Sequence, residues 1–173
     1  YLNSKNILMS NLIFKELNHY ISLRVVDSLL QDIEYADLTN IKIKEVKGRF
    51  EIVNDSPLKI IDGAHNYEGV EILLRNYENI YGHLNTDIYL GFKKGKDINN
   101  ILNLIIGKTN YNLHLIEDDT FFDQEITKEI GYLLDKHGKN YKIASLEQFK
   151  KNKNPSILLG SLYLIGEYKK REL

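Results

Sequence analysis

From residue 48 onward, short apolar runs alternate with amphipathic stretches, and this alternation leaves few folds open. RFEIV (49–53) and LKIID (58–62) read as strands, joined by the turn chemistry of NDSP. Two strands so close in sequence pair antiparallel. The stretch after Asn66 places Val70, Leu73, Leu74, Tyr77, Ile80 and Tyr81 at helical spacing. Further strands are predicted over 87–92, 111–117, 140–144 and 155–160. Helices are predicted over 97–106 and 123–138, with a short one after Ala144 and another closing the chain. Strands that alternate with helices build βαβ units with right-handed crossovers. The expected fold is α/β and Rossmann-like: a mostly parallel sheet with one antiparallel strand and helices on both faces.

The residues before this pattern differ. Ile7, Leu8, Leu12, Phe14 and Leu17 have mostly helical spacing, and Ser22 precedes a second run with Leu23, Val26, Leu29, Leu30 and Ile33 on one face. A helical hairpin is expected, then a polar linker over 34–47 with a weak strand at Ile41, Ile43 and Val46. The expected division is 1–47 and 48–173. The chain opens on Tyr1 rather than Met, which is read as a start cut away or as one part of a longer protein.

A formal net charge of -1 gives no general electrostatic attraction to nucleic acid or to a membrane surface, and neither is an expected partner. No apolar run approaches the roughly 18 residues that span a bilayer. Absent cysteine removes disulfides and thiolate metal sites, which is compatible with the reducing cytoplasm. The histidines are scattered without HxxxH or HExxH pairing, so no metal ligands are assigned.

Chemistry concentrates at IIDGAHN (60–66), where an apolar strand stops at an acid, turns on a glycine and enters a helix. In open α/β sheets, ligands bind beyond the carboxyl ends of strands, near a reversal of strand order. Gly63 permits a tight turn or a close backbone approach. The N–H groups of the following helix favour an anion or a polar ligand. An acid at such a strand end can accept from two ribose hydroxyls. Plain readings stand beside these. Asp, Gly and Asn are ordinary turn residues, Asn66 is a helix cap, and an isolated His65 is a surface or locally bonded side chain.

GRFEIV followed by LKIIDGAHN, with Arg49 thirteen residues before Asp62, resembles the folylpolyglutamate synthase/dihydrofolate synthase branch of the Mur ligase superfamily, in its C-terminal part. LGFKKGKDINNIL (90–102), the closing LLGSLYLIGE (158–167) and KNILMSNLIFKEL (5–17) are similar to further segments of that branch. The resemblance implies the helical end of an N-terminal ATPase domain plus linker over 1–47, and the glutamate ligase domain over 48–173. It implies an ATP-dependent ligation in which the γ-phosphate passes to a substrate carboxylate and the amine of glutamate displaces phosphate. ATP with Mg2+ would be the cofactors, folate or dihydropteroate and L-glutamate the substrates, and the cytoplasm the location. Arg49 would reach the ATP phosphates, Asp62 the ribose hydroxyls or nearby ATP groups, and Asn6 the adenine. His65, the catalytic candidate, would face the incoming glutamate, which Ser161 would help to hold. Without the resemblance, Arg49 reads as a solvated strand residue or a surface ion pair, Ser161 as a helix N-cap and Asn6 as a plain helix start. Lys93, Lys94 and Lys96 read as solvated, with a role at the phosphate as the alternative.

The sequence departs from the branch at Tyr67 and at Val46-Lys47, where prolines are usual, and its linker before Gly48 is longer. The phosphate loop GxxxxGK[ST] is absent from these residues; in the branch it lies in the N-terminal domain with the magnesium ligands. Two other readings remain open: the C-terminal domain of a cell-wall Mur-type peptide ligase, and an inactive fragment lacking the phosphate loop.

Overall fold

A computed structural model describes residues 46–108, 110–117 and 124–171. The expected hairpin, the linker strand and Asn6 lie outside the described residues. The fold described here belongs to the unit Lys47–Leu173.

Six strands form one sheet: β1 (Glu51–Asp55), β2 (Leu58–Asp62), β3 (Thr86–Leu90), β4 (Tyr111–Ile116), β5 (Tyr141–Ala144) and β6 (Ser156–Leu159). Five helices accompany them: α1 (Tyr67–Tyr81), α2 (Ile98–Ile106), α3 (Gln124–Lys136), α4 (Leu146–Lys151) and α5 (Leu162–Lys170). The spatial order is β1-β2-β6-β3-β4-β5. All neighbours pair parallel except β1 with β2. The expected α/β class with one antiparallel strand is the observed one.

Burial explains the order. Strands covered on both faces carry near-continuous apolar runs. β3 and β6 are buried at every position and lie in the middle, whereas β1 and β5 are half exposed and lie at the edges. The β1 ladder is interrupted between Ile52 and Asn54. A bulge of this kind, with Glu51 and Asp55 on the same strand, discourages pairing with another chain.

Successive strand residues point to opposite faces and build two cores. Ile60, Ile88, Leu90, Leu113, Leu115, Ile157 and Leu159 face α1, α2 and α3, which contribute Leu73, Leu74, Tyr77, Ile101, Leu102, Ile105, Ile130 and Leu134. Ile61, Tyr89, Ile116 and Leu158 face α4 and α5, where Phe149, Leu164, Ile165 and Tyr168 close the second core. A right-handed crossover places its helix on one face when the chain moves one way along the sheet, and on the other face when it returns. α1 to α3 serve the outward path from β2 to β5, and α4 serves the return to β6, so the two groups lie on opposite faces.

Helix ends follow local chemistry. Asn66 caps α1 by accepting the Gly69 N–H, as the plain reading of that residue expects. Ser145 and Gln148 form a reciprocal capping box on α4. Lys59 Nζ donates to the Lys150 carbonyl near the end of α4, where a cation suits the helix dipole. No helix among the described residues is long and apolar enough to cross a membrane.

Candidate functional site

β6 enters between β2 and β3, so the chain leaves β2 through α1 on one face and leaves β6 through α5 on the other. Neighbouring strand ends that diverge in this way open a crevice at the carboxyl edge of the sheet. Asp62 pairs with Leu159 across β2 and β6, which brings the Asp62–His65 turn beside Gly160 and Ser161. Two residues almost a hundred positions apart thus share one edge.

Two glycines make this approach possible. A Cβ on Gly63 would stand 2.6 Å from Leu162 Cγ and 3.3 Å from its Cα, so a side chain there would push against the start of α5. Gly160 has φ 122°, and a Cβ there would lie 2.5 Å from the Gly91 carbonyl oxygen. Glycine is the residue that tolerates both demands.

Asp62 is buried and accepts from both sides. Its Oδ2 takes the Phe50 N–H at 2.8 Å and its Oδ1 takes the Ala64 N–H at 2.7 Å. Arg49 Nη1 lies 3.5 Å from Oδ1. Burial pushes the Asp62 carboxyl above its usual range; the two N–H donors and Arg49 oppose this and do not cancel it. Each carboxylate oxygen can accept twice; Arg49 faces the second position on Oδ1, and the second position on Oδ2 remains beyond the backbone bond.

Arg49 is not a strand residue, although 49–53 reads as a strand. β1 starts at Glu51, and Arg49 belongs to a loop flanked by Gly48 at φ 73° and Phe50 at φ 43°. The reason is tertiary: Gly63 N–H donates to the Gly48 carbonyl at 2.8 Å and Phe50 N–H goes to Asp62, so the loop bonds to the end of β2 instead of extending β1. Arg49 thereby stands at the crevice with its side chain about one third exposed (32%).

His65 is part-buried, and its Nδ1 lies 2.8 Å from the Gly63 carbonyl oxygen. Because a carbonyl only accepts, this assigns the proton to Nδ1 and leaves Nε2 of the neutral ring as an acceptor. Ser161 is buried and N-caps α5; its Oγ accepts the Tyr163 N–H at 3.2 Å. Arg49, Asp62, His65 and Ser161 all come to the crevice edge, while Asn6 lies outside the described residues.

Lys93 departs from the solvated reading. Its Nζ sits 3.3 Å from the ring centroid of Tyr163, an exposed residue in the first turn of α5. Lys94 and Lys96 are exposed, and Lys94 makes a long surface pair with Glu125. Sequence reasoning also gave no role to Glu51, the fourth residue of GRFE. Its carboxylate accepts from the Gly48 N–H and from Lys169. The sequence marks Glu51 only by its place in that motif and carries no local sign of Lys169.

Among the described residues, no group of three or more His, Cys, Asp or Glu side chains stands close enough to hold a metal ion. The crevice instead offers a guanidinium, an aromatic-backed ammonium, helix N-termini and a buried carboxylate, a set suited to an anionic ligand with hydroxyl groups.

No family model matches the sequence. No curated protein matches it either. Solved structures do match. The chain resembles folylpolyglutamate synthase from Thermotoga maritima at 21% identity and TM-score 0.64, covering 89% of this chain and 37% of that one. It resembles Helicobacter pylori folylpolyglutamate synthetase at 20% identity and TM-score 0.66, covering 90% and 39%. It resembles E. coli FolC, solved in complex with ADP and without folate substrate, at 19% identity and TM-score 0.71, covering 92% and 40%. The chain therefore spans about two fifths of the length of these enzymes and resembles them in fold.

Proposed function

We propose that the chain is the C-terminal part of an ATP-dependent ligase that joins glutamate to a folate, with 48–173 as the glutamate ligase domain and 1–47 as the end of an ATPase domain plus linker. The observation that carries this reading is the joining of Arg49, Asp62, His65 and Ser161 at one crevice by the insertion of β6 between β2 and β3. The likeness of fold to folylpolyglutamate synthases supports it.

The reaction makes an acyl phosphate. A substrate carboxylate takes the γ-phosphoryl group of ATP and ADP leaves; the glutamate amine then attacks the acyl carbon and phosphate departs. Such chemistry depends on orientation and on fixed charge near the phosphates. Arg49 supplies that charge from a loop fixed by backbone bonds. Asp62 accepts from the ribose with its remaining lone pair, and Asn6 contacts the adenine. The Nε2 of His65 accepts a proton or hydrogen bond from the glutamate ammonium, and Ser161 holds the glutamate. Magnesium, which neutralises phosphate charge when bound, belongs in this reading to the ATPase part of the same protein. The cytoplasm is the proposed location.

The test uses the full-length protein that carries this chain. ADP release should require both a folate and glutamate, and mass spectrometry should show a folate product one glutamate heavier. ADP release driven by a cell-wall peptide precursor instead would sink the folate reading. Asp62→Ala should raise the apparent KM for ATP, and an unchanged ATP response would remove the ribose role.

A further inference from the structure

Arg49 is carried by a backbone that does not hold its shape unaided. Gly48 and Phe50 flank it at φ 73° and φ 43°, and Phe50 is a non-glycine residue in the left-handed region. Such a conformation is strained for a residue with a Cβ and persists only where surrounding contacts enforce it. Three hydrogen bonds enforce it here. Gly63 N–H donates to the Gly48 carbonyl, Phe50 N–H donates to Asp62, and Gly48 N–H donates to Glu51 Oε2 at 2.6 Å. Together they fix the peptide groups on both sides of Arg49.

The first two bonds come from the end of β2. The third comes from the first residue of β1, and its acceptor is itself held. Lys169 Nζ, from the last turn of α5, donates to Glu51 Oε1 and Oε2 at 2.7 and 2.6 Å. Lys47 adds a longer contact at 3.5 Å. The Glu51 side chain is mostly covered, at 16% exposure. Burial pushes its carboxyl up, but the bonds from Lys169 and Gly48 outweigh this and hold it below its usual range. Charged acceptors form the stronger class of hydrogen bond, and a bidentate ammonium contact also restrains the carboxylate's orientation.

We propose that Glu51 and Lys169 are a positioning pair that presents Arg49 to the phosphates of a bound nucleotide. This rests on the reading of Arg49 given above. α5 then serves the crevice at both ends: Ser161 caps its start at the site, and Lys169 near its end braces the loop that carries the arginine.

The experiment measures KM for ATP and KM for glutamate in the full-length protein for Arg49→Ala, Lys169→Met, Glu51→Ala and Glu51→Gln. Glu51→Ala should raise the KM for ATP about five- to tenfold, the scale of one lost charge-assisted bond, and Lys169→Met, which keeps the Gly48 bond, should raise it by a smaller factor. KM for glutamate should stay unchanged. Glu51→Gln should show a smaller rise, because the amide oxygen still accepts the Gly48 N–H. A merely structural role would lower Tm and leave both KM values alone. That result, with Arg49→Ala still raising the KM for ATP, overturns the positioning pair and leaves the role of Arg49 standing. An unchanged ATP response in Arg49→Ala overturns the phosphate role of Arg49, and the pair with it. Should Glu51→Ala fail to fold, Lys169→Met decides, since it leaves the Gly48 bond in place.

Discussion

At Gly160 the backbone takes φ 122°, and any Cβ would press on the Gly91 carbonyl at 2.5 Å. Neither strain can relax without parting β6 from the chain that follows β3. Gly160→Ala should therefore destabilise the protein by about 2–4 kcal/mol, read by urea unfolding. Gly166 lies inside α5, and a Cβ there would meet nothing within 4 Å. Gly166→Ala should stabilise by about 0.5–1 kcal/mol in the same assay, because alanine restricts the unfolded chain and suits a helix. Opposite signs from two glycine-to-alanine changes six residues apart check whether the crevice, rather than glycine content, sets the demand. Equal effects would count against the close approach of β6 and Gly91.

Asp87 joins elements at the other end of the sheet. From β3 it accepts from Asn112 of β4 at 2.8 Å, and from Asn152 and Asn154, which follow α4, at 2.7 and 3.1 Å. Burial pushes its carboxyl up, but these three amides and His114 outweigh it, so the pKa lies below the usual 3.8. An asparagine here would face amide donors with donors of its own. Asp87→Asn should cost about 2–3 kcal/mol at neutral pH. A carboxyl with a depressed pKa contributes its stability fully above 3.8 and loses it as pH falls through the depressed value. The gap between the proteins should thus narrow below that pH. His114 Nε2 lies 3.8 Å away, so the comparison belongs in a His114→Gln background. A gap independent of pH would show that the carboxylate charge is not what the amides recognise.

The elements themselves were legible in the sequence, because strand and helix periods repeat within a few residues. Observed β2, α1 and α2 follow the local pattern of apolar residues and caps closely. The exception, β1, fails for a reason of distance. Phe50 and Ile52 alternate as a strand should, but the Phe50 N–H is taken by Asp62, twelve residues away. The bracing of Glu51 by Lys169, across 118 residues, is equally invisible locally. The gathering of Asp62 and Ser161 depends on where β6 enters the sheet, and no segment of sequence records strand order. The resemblance in GRFE, DGAHN and GSLY pointed to the same edge before any pairing was known, yet it left Glu51 without a task.

At the scale of the whole molecule, the proposed reading makes the crevice a one-sided site. Its phosphate-facing cation would be Arg49, and no GxxxxGK[ST] loop occurs in the 173 residues. Among the described residues there is no carboxylate cluster to hold a metal between phosphates. Phosphoryl transfer needs charge placed around three equatorial oxygens and an aligned nucleophile, which the Arg49 guanidinium, the Lys93 ammonium and the helix N-termini do not supply by themselves. The folded unit, by contrast, is complete in its own cores: both faces of the sheet are covered, and the central strands are buried throughout. The 173-residue chain should therefore unfold cooperatively in urea, yet release no ADP above background when given ATP, magnesium, a folate and glutamate. Measured folate- and glutamate-dependent ADP release from this chain would show that the crevice carries a complete phosphoryl-transfer site, and would overturn the assignment of phosphate loop and magnesium to a separate part of the protein. Absence of a cooperative transition would instead count against the two closed cores as an independent fold.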